Sequence, residues 1–359
     1  MKSAALIATA ASLAVSSAAP MIPAAHQARF LQDRPALEAE LAAWKMSAAG
    51  QTALHNGFYV EDPHESTKSN DEHLTRFFLT KLAIEAAQKR NPKAVFSVDS
   101  PFTLMTSEEF SQYVKRGSRG AKPTALHAPG VPVKKHESHP VVGAGRDWSP
   151  TKCLPPVKDQ GNCGSCWAFS AVGALESAFC IKHNYLVPFS EQEIVSCDEQ
   201  DSGCKSGFPS QALSFVQSNG GISTEQSYPY ISGNTDRDES CNMTSRSKLS
   251  IKISAVVTVP ISEAAYISAI RKQPVTVLVN SDNDAWKQYT SGVVTDCIMD
   301  VNDLDHAVLA VGYDSSSYKI RNSWGPDWGD HGYIHLARIN ETAAACGMIN
   351  EYAAYPTLD

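Results

Sequence analysis

Apolar residues in the N-terminal third of the chain recur at helical spacing in two places. Leu37 to Ala49 repeats around Leu41 and Trp44, and Glu72 to Asn91 is a longer amphipathic run through Leu74, Phe77, Phe78, Leu82, Ile84 and Ala87. The polar stretch between them, Glu61 to Asp71, predicts a loop. After Phe110 the chain turns basic and rich in Pro, Gly and His from Lys115 to Pro140, the composition of an exposed linker. From Cys166 a run of small and apolar residues (Trp167, Ala168, Phe169, Ala171, Val172, Ala174, Leu175) predicts a buried helix reaching about His183. Ser190-Glu-Gln-Glu193 has the form of a capping box opening a second, short helix. Beyond about Lys252 the pattern changes to β character. Pro274–Val279, His306–Tyr313, Tyr318–Trp324 and Gly332–Arg338 read as strands, with a helix from Ser262 to Gln273 among them. A helical half followed by a β half predicts an α+β protein.

Composition adds an address. The 359 residues, 43% of them hydrophobic, can bury one large core or two smaller ones. A net charge of −7 argues against a nucleic-acid or anionic-membrane partner. Residues 1–19 carry Lys2, an apolar run from Ala4 to Val15 and small residues from Ser16 to Ala19, the form of a secretory signal peptide cleaved near Ala18 or Ala19. That run is too short to span a bilayer, and no later stretch of about 20 apolar residues follows it. The expected destination is the secretory pathway, either outside the cell or in a lysosome or vacuole. Nine cysteines suit an oxidising lumen, and none lies before Cys153.

The candidate chemistry centres on Cys163 and Cys166. A thiol at the mouth of a helix feels the positive end of the macrodipole, which favours the nucleophilic thiolate. The same two residues also form a Cys-x-x-Cys pair, so a secreted dithiol oxidoreductase is the rival reading. An odd cysteine count fits a single free Cys166 with eight others in four bridges, and fits a redox couple less well. A zinc site built from these cysteines lacks the second Cys-x2-Cys repeat it would need, so no metal and no cofactor are expected.

The segment Gln160-Gly-Asn-Cys-Gly-Ser-Cys-Trp-Ala-Phe-Ser170 resembles the active-site segment of the papain family of cysteine peptidases, cathepsin L-like members included. The resemblance implies a two-lobed fold, a helical lobe facing a β-barrel-like lobe across a cleft. It makes Cys166 the nucleophile and gives Gln160 a place beside the developing oxyanion, where donors are worth a few kcal/mol. Asp305-His306-Ala307 and Arg321-Asn-Ser-Trp-Gly325 match the family's base and orienting residues, so His306 becomes acid and base, Asn322 aligns it and Trp324 shields their bond. Trp328 is expected to line the primed side. Ser196 to Gly207 resembles the family's Cys-Asp…Gly-Cys-x-Gly-Gly segment, which implies bridges Cys163–Cys204 and Cys197–Cys241. It also places Gly207 against an extended substrate, with Ser206 standing where a glycine is usual. Cys346 is expected to pair with Cys297, which leaves Cys153 and Cys180 to bridge each other. Glu351 falls where the family sets the floor of the S2 pocket, with Phe208, Pro209, Leu278, Leu304 and Ala307 as walls. An extra residue before Tyr355-Pro356 equally allows Glu351 to be a surface residue.

The preceding segment resembles the family's inhibitory propeptide, with Glu72, Arg76, Ala87 and Asn91 matching and Thr80 and Ala83 departing. In Ser100 to Phe110, the residues Phe102, Thr106, Glu108, Glu109 and Phe110 match, while Leu104 replaces an Asp that relatives associate with acid-triggered release. The expected division is a signal peptide (1–19), a propeptide (20–141) and a peptidase domain (142–359), with the processed N-terminus near Val142. The implied partners are polypeptide substrates, the chain's own propeptide as intramolecular inhibitor, and cystatin-type inhibitors; the protein is expected to be a monomer. No long insertion between Cys241 and His306 blocks the cleft, so an endopeptidase is expected. A catalytically silent homologue is the remaining rival. Asn242-Met-Thr and Asn340-Glu-Thr are sequons open to glycosylation.

Overall fold

The computed structural model describes residues 20–61, 67–116, 133–137, 145–242 and 247–359. The expected signal peptide and the processing point near Val142 lie outside the described residues.

The leading segment, the expected pro-region, is built from helices α1 (Gln27–Met46), α2 (Ala48–His55), α3 (Thr67–Arg90) and α4 (Ser107–Lys115), with two short strands, β1 (Ala94–Phe96) and β2 (Val133–Lys135). Helix α1 starts ten residues before the expected Leu37 and tolerates Pro35 in its interior. It stops at Ser47, whose extended backbone and Oγ cap α2 by accepting from the Gly50 N–H. The expected helix to Ala49 is therefore two helices. Helix α3 begins at Thr67, so the loop is shorter than the polar pattern suggests. Leu37, Leu41 and Trp44 of α1 meet Leu74, Phe77 and Phe78 of α3 in a small apolar cluster. Thr106 opens α4 with a complete capping box, its side chain taking the Glu109 N–H while Glu109 takes the Thr106 N–H.

In the part expected to be catalytic, β3 (Arg146–Asp147) leads to α5 (Cys166–His183), α6 (Glu191–Cys197), α7 (Pro209–Ser218), β4 (Gly221–Ser223) and α8 (Ser232–Thr235). Then come β5 (Lys248–Ser250), β6 (Ile253–Thr258), α9 (Glu263–Lys272), β7 (Val275–Val279), α10 (Asp284–Lys287), β8 (Tyr289–Val294), β9 (His306–Tyr313), β10 (Ser317–Arg321), β11 (Tyr333–Asn340), β12 (Ala343–Ala344) and β13 (Ala354–Leu358). Every residue of α5 from Cys166 to Cys180 is buried, which is why its sequence is apolar on all sides. Each large side chain there contributes roughly 1.5–3 kcal/mol of burial. Only half of the expected capping box at α6 forms. Ser190 takes the Glu193 N–H, but the Glu193 carboxylate turns to the Ser223 N–H, 2.6 Å, and ties α6 to β4.

The main sheet runs β1-β8-β11-β10-β9-β7-β13-β6-β2, with β3 on β9 and β12 on β11. Its two outermost strands both belong to the pro-region. Strand β1 pairs antiparallel with β8, Ala94 opposite Gly292, and β2 pairs parallel with β6, Val133 opposite Val256. Part of the expected linker is thus a strand covering an open sheet edge. Four disulfides fix the catalytic part: Cys153–Cys180, Cys163–Cys204, Cys197–Cys241 and Cys297–Cys346.

Candidate active site

Cys166 is the first residue of α5 and the one free cysteine among the described residues. The Cys163–Cys204 bridge just before it removes the dithiol reading, because Cys163 is unavailable to Cys166. Opposite stands β9, whose first residue is His306, paired in register with Val279 of β7. The backbone N–H of Ala307, next to His306, is turned toward the Cys166 sulfur and favours its charged form. Strand β10 ends at Arg321, and the chain then carries Asn322 beneath the imidazole, where Asn322 Oδ1 sits 2.7 Å from His306 Nε2. That contact commits Nε2 and leaves Nδ1 for the sulfur. The Trp324 ring stacks on the imidazole with centroids 4.6 Å apart, and Trp286 meets it edge-on at 5.9 Å.

Gln160 is held at both ends of its amide. Its Oε1 accepts from Ser323 Oγ at 2.7 Å, and its Nε2 donates to Cys163 O at 3.0 Å. Ser323, unnoticed in the sequence, therefore sets the amide's orientation, and the second Nε2 proton remains for a ligand. Cys166 and His306 open on a cavity of about 160 Å³ lined also by Ser206, Gly207, Phe208, Leu278, Leu304, Ala307 and Tyr352.

One expected wall residue, Pro209, does not line the cavity, and Glu351 takes its surface alternative rather than the floor. Pro209 is the first residue of α7 and is buried away from the cavity. Glu351 is exposed, and Tyr352 takes the floor in its place, its ring 5.6 Å from that of Phe208. The chain there turns through left-handed backbone at Cys346 (φ 60°) and Gly347 (φ 68°), so position counted from the cysteine does not tell which side chain faces inward. Trp328 is fully buried, stacked on Trp286 at 5.6 Å and donating its indole N–H to Trp286 O; it is a core residue in this form. Trp324 is covered too, by Phe102 at 5.0 Å, Phe110 at 5.9 Å and Tyr113 at 6.0 Å, all from the pro-region.

Burial also bears on the charge of the site. It pushes the Cys166 thiol up to about 11 and the His306 imidazole down to about 4, which disfavours charge on either group. The helix dipole and the imidazole favour a charged pair only where water or substrate can reach it. The sequons lie at exposed Asn242 and Asn340; Thr244 falls outside the described residues.

A free cysteine, an imidazole held by an amide, and a second amide beside the nucleophile define a cysteine peptidase of the papain type. Residues 143–357 match the papain family cysteine protease family, and the chain belongs to it. It is 36% identical over 310 residues to vignain of Vigna mungo, covering 82% of each chain. To digestive cysteine proteinase 3 of Homarus americanus it is 37% identical over 278 residues, 75% of this chain and 82% of that one. The crystal structure of the Amb a 11 cysteine protease, a major ragweed pollen allergen, in its proform superposes with a TM-score of 0.73 at 28% identity, over 92% of this chain and 97% of that one. Digestive procathepsin L 3 of the Tenebrio molitor larval midgut gives 0.71 at 27% identity, over 90% and 99%. The protein is thus a cysteine-type endopeptidase in its zymogen form, and its four disulfides fit folding in an oxidising lumen.

Proposed function

We propose that Cys166, His306, Asn322 and Gln160 carry out peptide-bond hydrolysis in the processed enzyme, the domain from about residue 142 onward. The observation that carries this assignment is the 2.7 Å contact between His306 Nε2 and Asn322 Oδ1, under a stacked Trp324, at the mouth of the cavity that holds the free thiol. Uncovered, the Cys166 proton moves to His306 Nδ1. The thiolate adds to the substrate carbonyl, and the oxyanion is met by the Cys166 N–H and the Gln160 amide. Imidazolium then protonates the leaving amine as the C–N bond breaks, leaving a thioester on Cys166. Neutral imidazole takes a proton from water, the hydroxide attacks the thioester, and carboxylic acid and thiol are restored.

The cavity lined by Phe208, Leu278, Leu304, Ala307 and Tyr352 suits a large apolar P2 side chain, and the exposed position of Glu351 removes the argument for P2 arginine. Polypeptides are therefore the substrate class. Residues 20–141 act as an intramolecular inhibitor that keeps the pair neutral and screens Trp324, and the place of action is extracellular or a lysosome- or vacuole-like compartment. Cystatin-type inhibitors would enter the same cleft.

The assignment is tested by labelling the processed full-length product with an epoxide-type cysteine-peptidase inhibitor. One label per chain is expected, with none in Cys166→Ser and turnover down by roughly 10⁴-fold or more. Label retained in Cys166→Ser would overturn it.

A further inference from the structure

The loop between α6 and α7 contains two carboxyls that catalysis does not use. Asp198 follows the last turn of α6 and is buried, its Oδ1 accepting from the Gln200 N–H at 3.0 Å. Asp201 sends its Oδ1 to the Phe208 N–H, also at 3.0 Å. Each Oδ2 is closed off from solvent and meets no N–H or hydroxyl donor. The two side chains lie within reach of each other, and a hydrogen bond between them needs a proton on one, because a bare carboxylate has nothing to donate.

Among the described residues no cation pairs with them. On their own loop Glu199 and Lys205 are exposed. On the adjoining loop Asp238 turns to the Cys204 N–H at 2.7 Å and Asp236 pairs with Arg116. Glu351, beside the Tyr352 that meets the Phe208 ring, is exposed. Among the described residues neither Asp198 nor Asp201 has an ion-pair partner.

What the pair holds is the wall of the substrate cavity. Phe208 N is fixed by Asp201, and the Phe208 ring packs on Tyr352. Gly207 lies so close to Trp167 that a Cβ there would fall 2.2 Å from its ring, so the wall cannot shift inward. Ser206 is fixed through its carbonyl, which accepts from the Ser202 N–H at 2.8 Å.

We infer that Asp198 and Asp201 work as one proton-sharing acid pair that positions the Gly207–Phe208 wall, so that substrate binding weakens when the pair loses its proton. Desolvation raises both carboxyls above the ordinary range, and the charge of Asp198 raises Asp201 further. A carboxyl whose pKa is raised by folding stabilises its surroundings at low pH and ceases to as pH rises through the folded value. Loss of the shared proton to solvent leaves like charges on buried Asp198 and half-buried Asp201, whose repulsion opens the loop. Both are positioning residues; neither touches the reacting atoms.

The inference rests on the peptidase assignment above, and the test separates the two. Full-length chain is processed, and kcat and KM for a peptide with an apolar P2 are measured from about pH 5 to about pH 9. The parent enzyme is expected to show KM rising at least ~3-fold toward the alkaline end with kcat changing little from this cause. In Asp201→Asn the amide mimics the protonated acid, giving an N–H to Asp198 and an oxygen to Phe208 N. Its KM at about pH 5 should lie within ~2-fold of the parent and the alkaline rise should vanish. Asp201→Ala should raise KM several-fold at every pH. Should that variant not fold, Asp198→Asn is the substitute and should flatten the KM profile as Asp201→Asn does. An active Asp201→Asn enzyme with the parent's KM profile would overturn the acid pair while leaving the catalytic assignment intact. A parent enzyme with no activity would instead defeat the assignment.

Discussion

The pro-region and the catalytic part of this zymogen are held together by different means. Four disulfides cross-link the catalytic part, and Lys158 is half-enclosed between the buried carboxylates of Glu176 at 2.9 Å and Glu191 at 2.6 Å. The described pro-region has no disulfide, and its helices are joined on the outside by pairs such as Arg29–Glu85, Lys81–Glu40 and Arg34–Asp71, all substantially exposed. Exposed pairs of that kind are worth little in water. The pro-region instead gains hold where it meets its partner. Asn91 accepts from the Thr295 and Asp296 N–H groups, Ser100 donates to Lys287 O, Lys287 Nζ donates to Met105 O, and the aromatic group around Phe102 covers Trp324. Both edges of the main sheet are capped by pro-region strands. A part that must leave is attached by surfaces, and a part that must survive is attached by bonds.

Four variants test that contrast. The largest effect is expected from Phe102→Ala, which removes a fully buried ring packed against Phe58, Phe110, Tyr113 and Trp324. It should weaken pro-region docking by about 3–5 kcal/mol and give early activity at neutral pH; a zymogen as latent as the parent would show that the aromatic group is not the clamp. Replacing both Cys153 and Cys180 with Ala opens a bridge of sequence separation 27 and should lower the stability of the processed enzyme by about 3 kcal/mol. Denaturant titration of the processed form measures it, and an unchanged midpoint would remove the bridge from the account.

The third test concerns acid. His73 is buried edge-on to Tyr59 at 5.6 Å; burial first, then Lys45 and Arg76, lower its pKa to about 4 from the ordinary 6.5. A histidine lowered by folding stabilises the pro-region fully above the ordinary value, and that contribution is lost as pH falls from 6.5 toward 4. With screening, the loss is about 2 kcal/mol. His73→Leu, in a Cys166→Ser background that cannot process itself, should therefore melt at nearly the same temperature at about pH 5 and about pH 7, while the His73 parent falls. Equal acid sensitivity in both would assign the effect elsewhere. The smallest effect is expected for Arg34→Ala, which removes the contacts to Glu38 and Asp71. It should change melting by under about 0.5 kcal/mol, and a larger shift would mean that the exposed pairs do bind the pro-region together.

How much of this was legible depended on how local the signal was. The run of small and apolar residues after Cys166 marked α5, because a helix buried on every face through Cys180 needs no partner to be recognised. The strand beginning at His306 was visible for the same reason, every residue of β9 being buried. Where a residue's role depends on the path of a distant segment, the sequence was silent or misleading. Trp328 reads like a cleft residue by its neighbours, but Trp286 lies over it. Tyr352 rather than Glu351 reaches the cavity because two left-handed residues reorient the chain before them. Val133 to Lys135 looks like linker because a short polar segment becomes a strand only when a neighbouring edge offers it hydrogen bonds.

By itself the sequence marked the candidate nucleophile, base and orienting amide, and a leading part without cysteine before a cysteine-rich one. Those follow from residue types at short spacing and from burial patterns within single elements. The tertiary structure alone decided that burial disfavours charge on Cys166 and His306, that Ser323 aims Gln160, and that Asp198 and Asp201 meet in the loop before Phe208. The physical reason is common to all three. Desolvation and hydrogen-bond direction are set by what comes to lie alongside a group, and the chain order does not carry that information.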